Sequence, residues 1–224
     1  LDEANWVCSA HLHSVGEVRA RPLFNLDRDI RLDPSTDMGR LNCRDPEAAG
    51  RMSEHLDFVR KDLDTVGSVV ELLVEGLPMG VGEPWFDGIE PALARGLMAI
   101  PGARAVEFSS GTSASVMRGS DHNDAWLPGD SDPVLEGADS AQADGALGGR
   151  STSAPISARV HFKPPSSLPR EQFTLHLPSD EIRSLKVGGR HDPVIGPRAA
   201  PVVEAVAMLV IADLGMIGGY IGAD

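Results

Sequence analysis

"PISARVHFKPPSSLPREQFTLHL", Pro155 to Leu177, decides how this chain is read. In its first half Ile156, Ala158, Val160 and Phe162 fall on one face, and Ser157, Arg159 and His161 on the other. A two-residue period is that of a half-buried strand. "QFTLHL" repeats the pattern after a proline-rich break. Proline cannot donate to a ladder, so the break separates two strands. Two alternating strands in succession favour antiparallel pairing. The fold class predicted is therefore α+β, not a doubly wound parallel sheet.

Earlier in the chain, "SVVELLVEGLP" alternates as well, with Val70, Leu72 and Val74 on one face and Glu71 and Glu75 on the other. "DPEAAGRMSEHLDFVRKDLD" predicts a helix capped by Asp45, with Pro46 at its first position and a stripe of Met52, Leu56, Val59 and Leu63. "GIEPALARGLMAI" reads as a second helix and "ARAVEF" as a short strand. The first forty-odd residues show no sustained period and predict a loop with one or two short strands. Ser109 to Arg150 is rich in Gly, Ser and Asp, and a stretch that long is functional or disordered. "PRAAPVVEAVAMLVIADLGMI" is apolar nearly all round, which predicts a buried helix. The whole, residues 1–224, is read as a single domain.

The net charge is −13, with lysine only at 61, 163 and 186. This balance argues against nucleic acid or an anionic membrane as partner, both of which need a basic footprint. An acid-rich, lysine-poor surface fits a salt-adapted source, and an arginine bias from GC-rich coding fits equally well. No leader opens the chain, the longest apolar run (Val206 to Ala212) falls short of a bilayer span, and two cysteines make no disulfide scaffold. The expected compartment is a reducing cytoplasm. The chain begins at Leu1, so a natural start upstream is expected.

Several stretches carry candidate chemistry. Cys8, His11, His13 and Cys43 have the donor types of a zinc site but poor spacing, and a half-buried strand with both histidines on one face explains that pair more simply. "GALGG" (Gly145 to Gly149) is glycine-rich without the dinucleotide pattern, so plain turn chemistry competes with phosphate binding. "FKPPSS" (Phe162 to Ser167) ends a strand with a cation, two stiffening prolines and two hydroxyls, which suits a phosphate and also an ordinary turn. "GSDHND" (Gly119 to Asp124) either orders the long loop or faces a ligand. In "GGRHDP" Arg190 can grip a carboxylate or phosphate, His191 adds an imidazole, the side-chain type suited to proton exchange, and Asp192 can carry a proton. Alternatively Asp192 and Pro193 simply start the next helix.

Together these stretches resemble the chorismate synthase family. "GRHDPVIGPRAAPVVEAVAMLVIAD" (Gly189 to Asp213) is similar to its C-terminal signature, and "VGSVVELLVEGLPMGVGEPWFD", "LMAIPGARAVEF", "GSDHND", "GALGG" and "FKPPSS" follow in the family's order. The resemblance implies a β-α-β sandwich and a cytoplasmic homotetramer. It implies a carbon–oxygen lyase of the shikimate pathway that removes phosphate from 5-enolpyruvylshikimate 3-phosphate by trans-1,4-elimination, giving chorismate. Reduced FMN would be the cofactor, with NADPH as a possible reductant. Arg190 would touch both FMN and the substrate, and Asp192 would relay a proton. Gly148 would allow close approach of the backbone to the flavin. Lys163, Pro164, Pro165, Ser166 and Ser167 would hold its phosphate end or ring edge, and Pro101 and Gly102 would border it. Arg198 is assigned to structure. These corners are expected to converge on one guest.

The family's front motifs, which carry two general-acid histidines and several substrate-holding arginines, are not found in this sequence. The chain is therefore expected to be a C-terminal portion, inactive alone. The alternative is a non-catalytic FMN-binding or structural α+β module. Asp144 and Arg150 depart from the family pattern beside the glycine pair; the added carboxylate would repel a flavin phosphate unless Arg150 compensates.

Overall fold

In chain order the elements are β1 (Val7–Val15), β2 (Val18–Arg19), α1 (Asp37–Leu41), α2 (Pro46–Lys61), β3 (Ser68–Glu75), α3 (Ile89–Met98), β4 (Ala103–Phe108), α4 (Gly119–His122), β5 (Trp126–Leu127), β6 (Val134–Leu135), β7 (Ala146–Leu147), β8 (Arg150–Ser151), β9 (Ile156–Phe162), β10 (Gln172–His176), β11 (Glu181–Leu185) and α5 (Gly196–Ile217). They are taken from a computed structural model, which describes residues 5–129, 133–135 and 145–222. A sheet in the order β2-β1-β3-β9-β4 is antiparallel throughout, giving an α+β fold.

The alternation of β3 and β9 sets the layers. Val70, Leu72, Val74, Ile156, Ala158, Val160 and Phe162 point to one side, where they pack with Ile89, Leu93 and Leu97 of α3 and Ala199, Val203, Ala207 and Ile211 of α5. Burial of such side chains contributes roughly 1.5–3 kcal/mol each before chain entropy is subtracted. A second cluster joins Leu12 and Val15 of β1 to Ala48, Met52 and Leu56 of α2. The predicted Asp45 cap of α2 is present, its side chain accepting the Ala48 N–H.

Four expectations change. The N-terminal region contains a nine-residue strand, β1, because its pairing with β3 supplies the order that the local sequence lacks. "QFTLHL" pairs with the segment after it, β11, and not with the preceding strand, which lies between β3 and β4. Leu63 leaves the α2 stripe: it lies beyond the helix end at φ +56 and is 47 % exposed. The last helix is buried on one side only, since Val202, Leu209, Met216 and Ile217 are exposed. By length and composition α5 resembles a membrane span. Its packing, and the hydrogen bond that Glu204 accepts from the Ala10 N–H, make it the core helix.

Candidate functional site

Two adjacent residues just before β3 fasten the two most polar loops. Thr65 Oγ1 donates to the Pro165 carbonyl (2.7 Å), and Val66 N donates to the Pro193 carbonyl (2.9 Å). The "FKPPSS" and "GGRHDP" corners therefore lie side by side at the end of the sheet where Ser68 pairs with Phe162. Lys163 N donates to the Gly102 carbonyl (3.0 Å), which adds the Pro101–Gly102 turn. Gly102 sits at φ +91, and a Cβ there would come within 3.0 Å of Ile195, so the turn requires glycine.

The charges at this end are free to meet a guest. Lys163 and Arg190 are exposed and have no ion pair or side-chain hydrogen bond among the described residues. Ser166 is exposed, and Pro165 and Ser167 are half-buried beside them. Asp192 turns the other way: its carboxylate pairs with Arg198 Nη1 at 2.9 Å and faces a cavity of about 330 Å3 that also meets Arg40, Asp57 and Arg60. The His191 ring nitrogen Nε2 hydrogen-bonds with the Gly188 carbonyl (2.9 Å).

Gly148 is not at this corner. The β7–β8 hairpin bonds to the chain beyond the far end of β3, through Gly80 N to the Ser151 carbonyl (2.9 Å) and Val81 N to Ser151 Oγ (2.9 Å). The Gly149 carbonyl accepts the Ile89 N–H that opens α3, whereas Gly102 follows the closing end of the same helix. The two corners thus stand about 15 Å apart along α3. The expected convergence is met by Pro101, Gly102, Lys163, Pro164, Pro165 and the Arg190 loop; Gly148 lies at the opposite end of the sheet. Its φ is +62, and a Cβ there would meet nothing within 4 Å. A cavity of about 790 Å3 lies between this hairpin and "GSDHND", touching His122, Asn123, Asp124, Ala146 and Leu147. Arg150 faces Glu83 at 3.4 Å, and Asp144 lies outside the described residues.

The four proposed zinc ligands separate. Cys8 belongs to the α3–α5 core and Cys43 to the α2 cluster. Burial and the Glu204 charge push the Cys8 thiol up to about 12, and burial pushes Cys43 to about 11. His11 and His13 meet Glu71 instead, at 3.4 and 3.5 Å. Burial pushes the Glu71 carboxyl up, but the facing imidazoles and the Leu23 N–H (2.6 Å) outweigh it and hold it well below the usual carboxylate range. Its other oxygen accepts from Arg159 Nε and Nη2. His11 Nδ1 receives the Arg44 N–H, which leaves its proton on Nε2, facing Glu71. The His11 and Glu71 atoms are hydrogen-bonded and the Glu71 charge is matched by Arg159, whereas His13 Nδ1 is buried without a hydrogen-bond partner among the described residues; the ligand atoms of His11, His13 and Glu71 lie within 4.8 Å of one another. Burial lowers the His11 pKa.

Sequence reading missed Thr65, Ser68 and Glu71. Each is a polar residue at or within a β-rich run, and that placement was the signal available.

The family model "Chorismate synthase" matches residues 1–216. The chain belongs to the chorismate synthase family. It is similar to chorismate synthases of Aeropyrum pernix (42% identical, 92% of this chain and 53% of the relative), Methanosarcina mazei (38%, 94% and 56%) and Haloquadratum walsbyi (32%, 100% and 57%). It thus spans a little over half the length of these relatives. A crystal structure of chorismate synthase superposes with a TM-score of 0.71 at 20% identity, covering 97% of this chain and 59% of that one, and supports the fold.

Proposed function

We propose that this chain supplies the flavin and substrate corners of a chorismate synthase. That enzyme is a carbon–oxygen lyase that converts 5-enolpyruvylshikimate 3-phosphate to chorismate and phosphate. The observation that carries the reading is the pair of exposed cations, Lys163 and Arg190, without an ion pair among the described residues, on neighbouring loops fastened by Thr65 and Val66. Their charge, the Ser166 and Ser167 hydroxyls and the glycine turn at Gly102 fit an anionic, planar cofactor such as FMN. Bound reduced FMN supplies electron density as phosphate leaves, with no net redox change.

Lys163, with the Pro164–Ser167 loop, holds the phosphate end or ring edge, and Pro101 and Gly102 border the ring. Arg190 grips the anionic groups of cofactor and substrate in bidentate fashion. Asp192 accepts the proton lost from the substrate ring once its carboxylate leaves Arg198. NADPH is the proposed reductant. The complete protein is a cytoplasmic homotetramer whose second sheet covers the exposed side of α5, completing a β-α-β sandwich.

The test is phosphate release from 5-enolpyruvylshikimate 3-phosphate by the complete gene product with reduced FMN. Turnover that falls far more than flavin affinity in Asp192→Ala supports the relay, and equal losses remove it. The second reading, a non-catalytic FMN-binding or structural module, rests on the Asp192 carboxylate being held by Arg198 at 2.9 Å. It holds if the complete product binds FMN yet releases no phosphate.

A further inference from the structure

We propose that His11, His13 and Glu71 hold a divalent transition-metal ion, zinc by their donor types, on the face of the sheet turned away from α3 and α5. The inference stands on the frame of the sheet and is independent of the flavin reading. Glu71 alternates with Val70 and Leu72, which face the helices, so its own side chain points the other way. His11 is its partner across β1 and β3, and Arg159 its partner across β3 and β9. His13 arrives through an irregularity. Leu12 pairs with Val70 and Ser14 with Val69, so His13 is the extra residue of a β-bulge and has no residue opposite it. A bulge re-aims a side chain. This one brings a second imidazole to the carboxylate that His11 already meets.

The spacing is that of a coordination shell. His11 Nε2 and His13 Nδ1 stand 3.4 and 3.5 Å from one atom, Glu71 Oε2, and the three atoms lie within 4.8 Å of one another. An N–H···O bond is best near about 2.9 Å, so both contacts are long for hydrogen bonds. Ligands about 2.0–2.1 Å from a tetrahedral zinc ion stand about 3.3–3.4 Å apart along each edge. His13 Nδ1 is the second sign. The residue is 9 % exposed, and this nitrogen is buried without a hydrogen-bond partner among the described residues. Leaving a buried polar atom without a partner is costly, and a cation between the three atoms removes that cost.

The surroundings support such a ligand set. Glu71 Oε1 accepts from Arg159 Nε (3.2 Å) and Nη2 (3.1 Å), which orients the carboxylate with Oε2 toward the imidazoles. Oε2 accepts the Leu23 N–H at 2.6 Å and keeps a second lone pair for the ion. A cavity of about 240 Å3 reaches Glu71, Leu23 and Arg159 and leaves room for a water as fourth ligand. Ligation costs one bond. The ion takes the place of the His11 Nε2 proton, the ring then carries its proton on Nδ1, and the long 3.4 Å bond from the Arg44 N–H is given up. Arg159 already balances Glu71, so the ion adds positive charge; ionisation of its bound water offsets part of that. Two imidazoles and one carboxylate suit zinc, whereas magnesium and calcium take oxygen shells. Bound there, the ion pins the bulge of β1 to β3.

Cobalt(II), which enters zinc sites and absorbs visible light in them, is the probe for the complete protein after chelation and desalting. One ion per chain is expected, with the visible bands of a nitrogen and oxygen site, no sulfur-to-metal band in the near ultraviolet, and displacement by zinc. His13→Gln removes a ligand that holds no hydrogen bond through Nδ1, so the chain should fold and lose cobalt affinity by about 100-fold or more. Zinc at about a hundred times its Kd should raise the wild-type melting temperature by several degrees. The same zinc should leave His13→Gln unmoved, and magnesium should shift neither protein. Wild-type protein that binds no cobalt, or His13→Gln that binds it as tightly, overturns the site. A sulfur-to-metal band overturns the ligand set. Should His13→Gln not fold, Glu71→Gln, which keeps the carboxylate's shape, takes its place with the same expected loss, and retained affinity there overturns the proposal as well.

Discussion

At the Lys163 end of the sheet the chain is fastened from behind by Thr65, Val66 and Ser68, and the exposed Lys163 and Arg190 side chains carry no ion pair or hydrogen bond among the described residues. At the Gly148 end it is fastened by glycine backbones packed on one another, and Gly149 sits against Glu83 and Gly88. The first arrangement separates support from chemistry, so a cation can be replaced without loosening its loop. The second does not at Gly88 and Gly149, because a side chain added at either position displaces backbone. Substitutions should therefore report function at one end and stability at the other.

The strongest way to break this comparison is to cut the frame between the two ends. Glu71→Ala leaves His11, His13, Arg159 and the Leu23 N–H without the carboxylate they share. A loss of about 3–5 kcal/mol is expected in urea unfolding, because buried charge is left uncompensated. Next comes the glycine pair. A Cβ on Gly149 would stand 2.3 Å from the Glu83 carbonyl oxygen at φ +90, so Gly149→Ala should cost about 3 kcal/mol from overpacking and strain together. Its neighbour has open space at φ +62, and Gly148→Ala should cost only the left-handed penalty of about 1 kcal/mol. Equal losses at the two positions would show that the hairpin is not held as described.

Much of this frame was legible in sequence because it is local. The α2 cap, the α3 helix and the β9 alternation each arise from residues a few positions apart. What escaped depends on distant partners. Glu71 falls on the polar side of an alternating strand, yet it is 2 % exposed because Leu23 and two histidines close over it. The partner of "QFTLHL" is set by a turn at Ser179 and Asp180 that no period announces. The motifs of the site were legible as residue types; their placement was not, because chain order says nothing about which end of α3 a glycine pair will meet.

Acid should weaken the cationic end more gradually. Burial pushes the Asp45 carboxyl up, but Arg21 and the Arg21 and Ala48 N–H groups outweigh it and bring it down to about 2. A carboxyl that titrates lower when folded stabilises fully above its unfolded pKa near 3.8, and that contribution drains away as pH falls through about 2. Asp45 caps α2, whose Asp57 and Arg60 back the Asp192 cavity. Wild-type stability should fall between about pH 4 and pH 2, and the drop should shrink in Asp45→Asn, which starts lower and has less to lose. An unchanged pH slope in the variant would remove Asp45 from the account.

The smallest effect is the most telling for the comparison. Lys163 and Arg190 have no ion pair or side-chain hydrogen bond among the described residues, so Lys163→Ala and Arg190→Ala should each leave stability within about 0.5 kcal/mol of wild type. Each removes a positive charge from a chain already at −13, which adds long-range repulsion. Salt screens that repulsion within about 8 Å at physiological strength. Melting at low salt should therefore drop slightly for both variants, and the difference should vanish in molar salt, while the loss of FMN affinity persists. A variant that melts well below wild type in high salt would mean that the cation holds its loop in place. The cationic end would then be built like the glycine end after all.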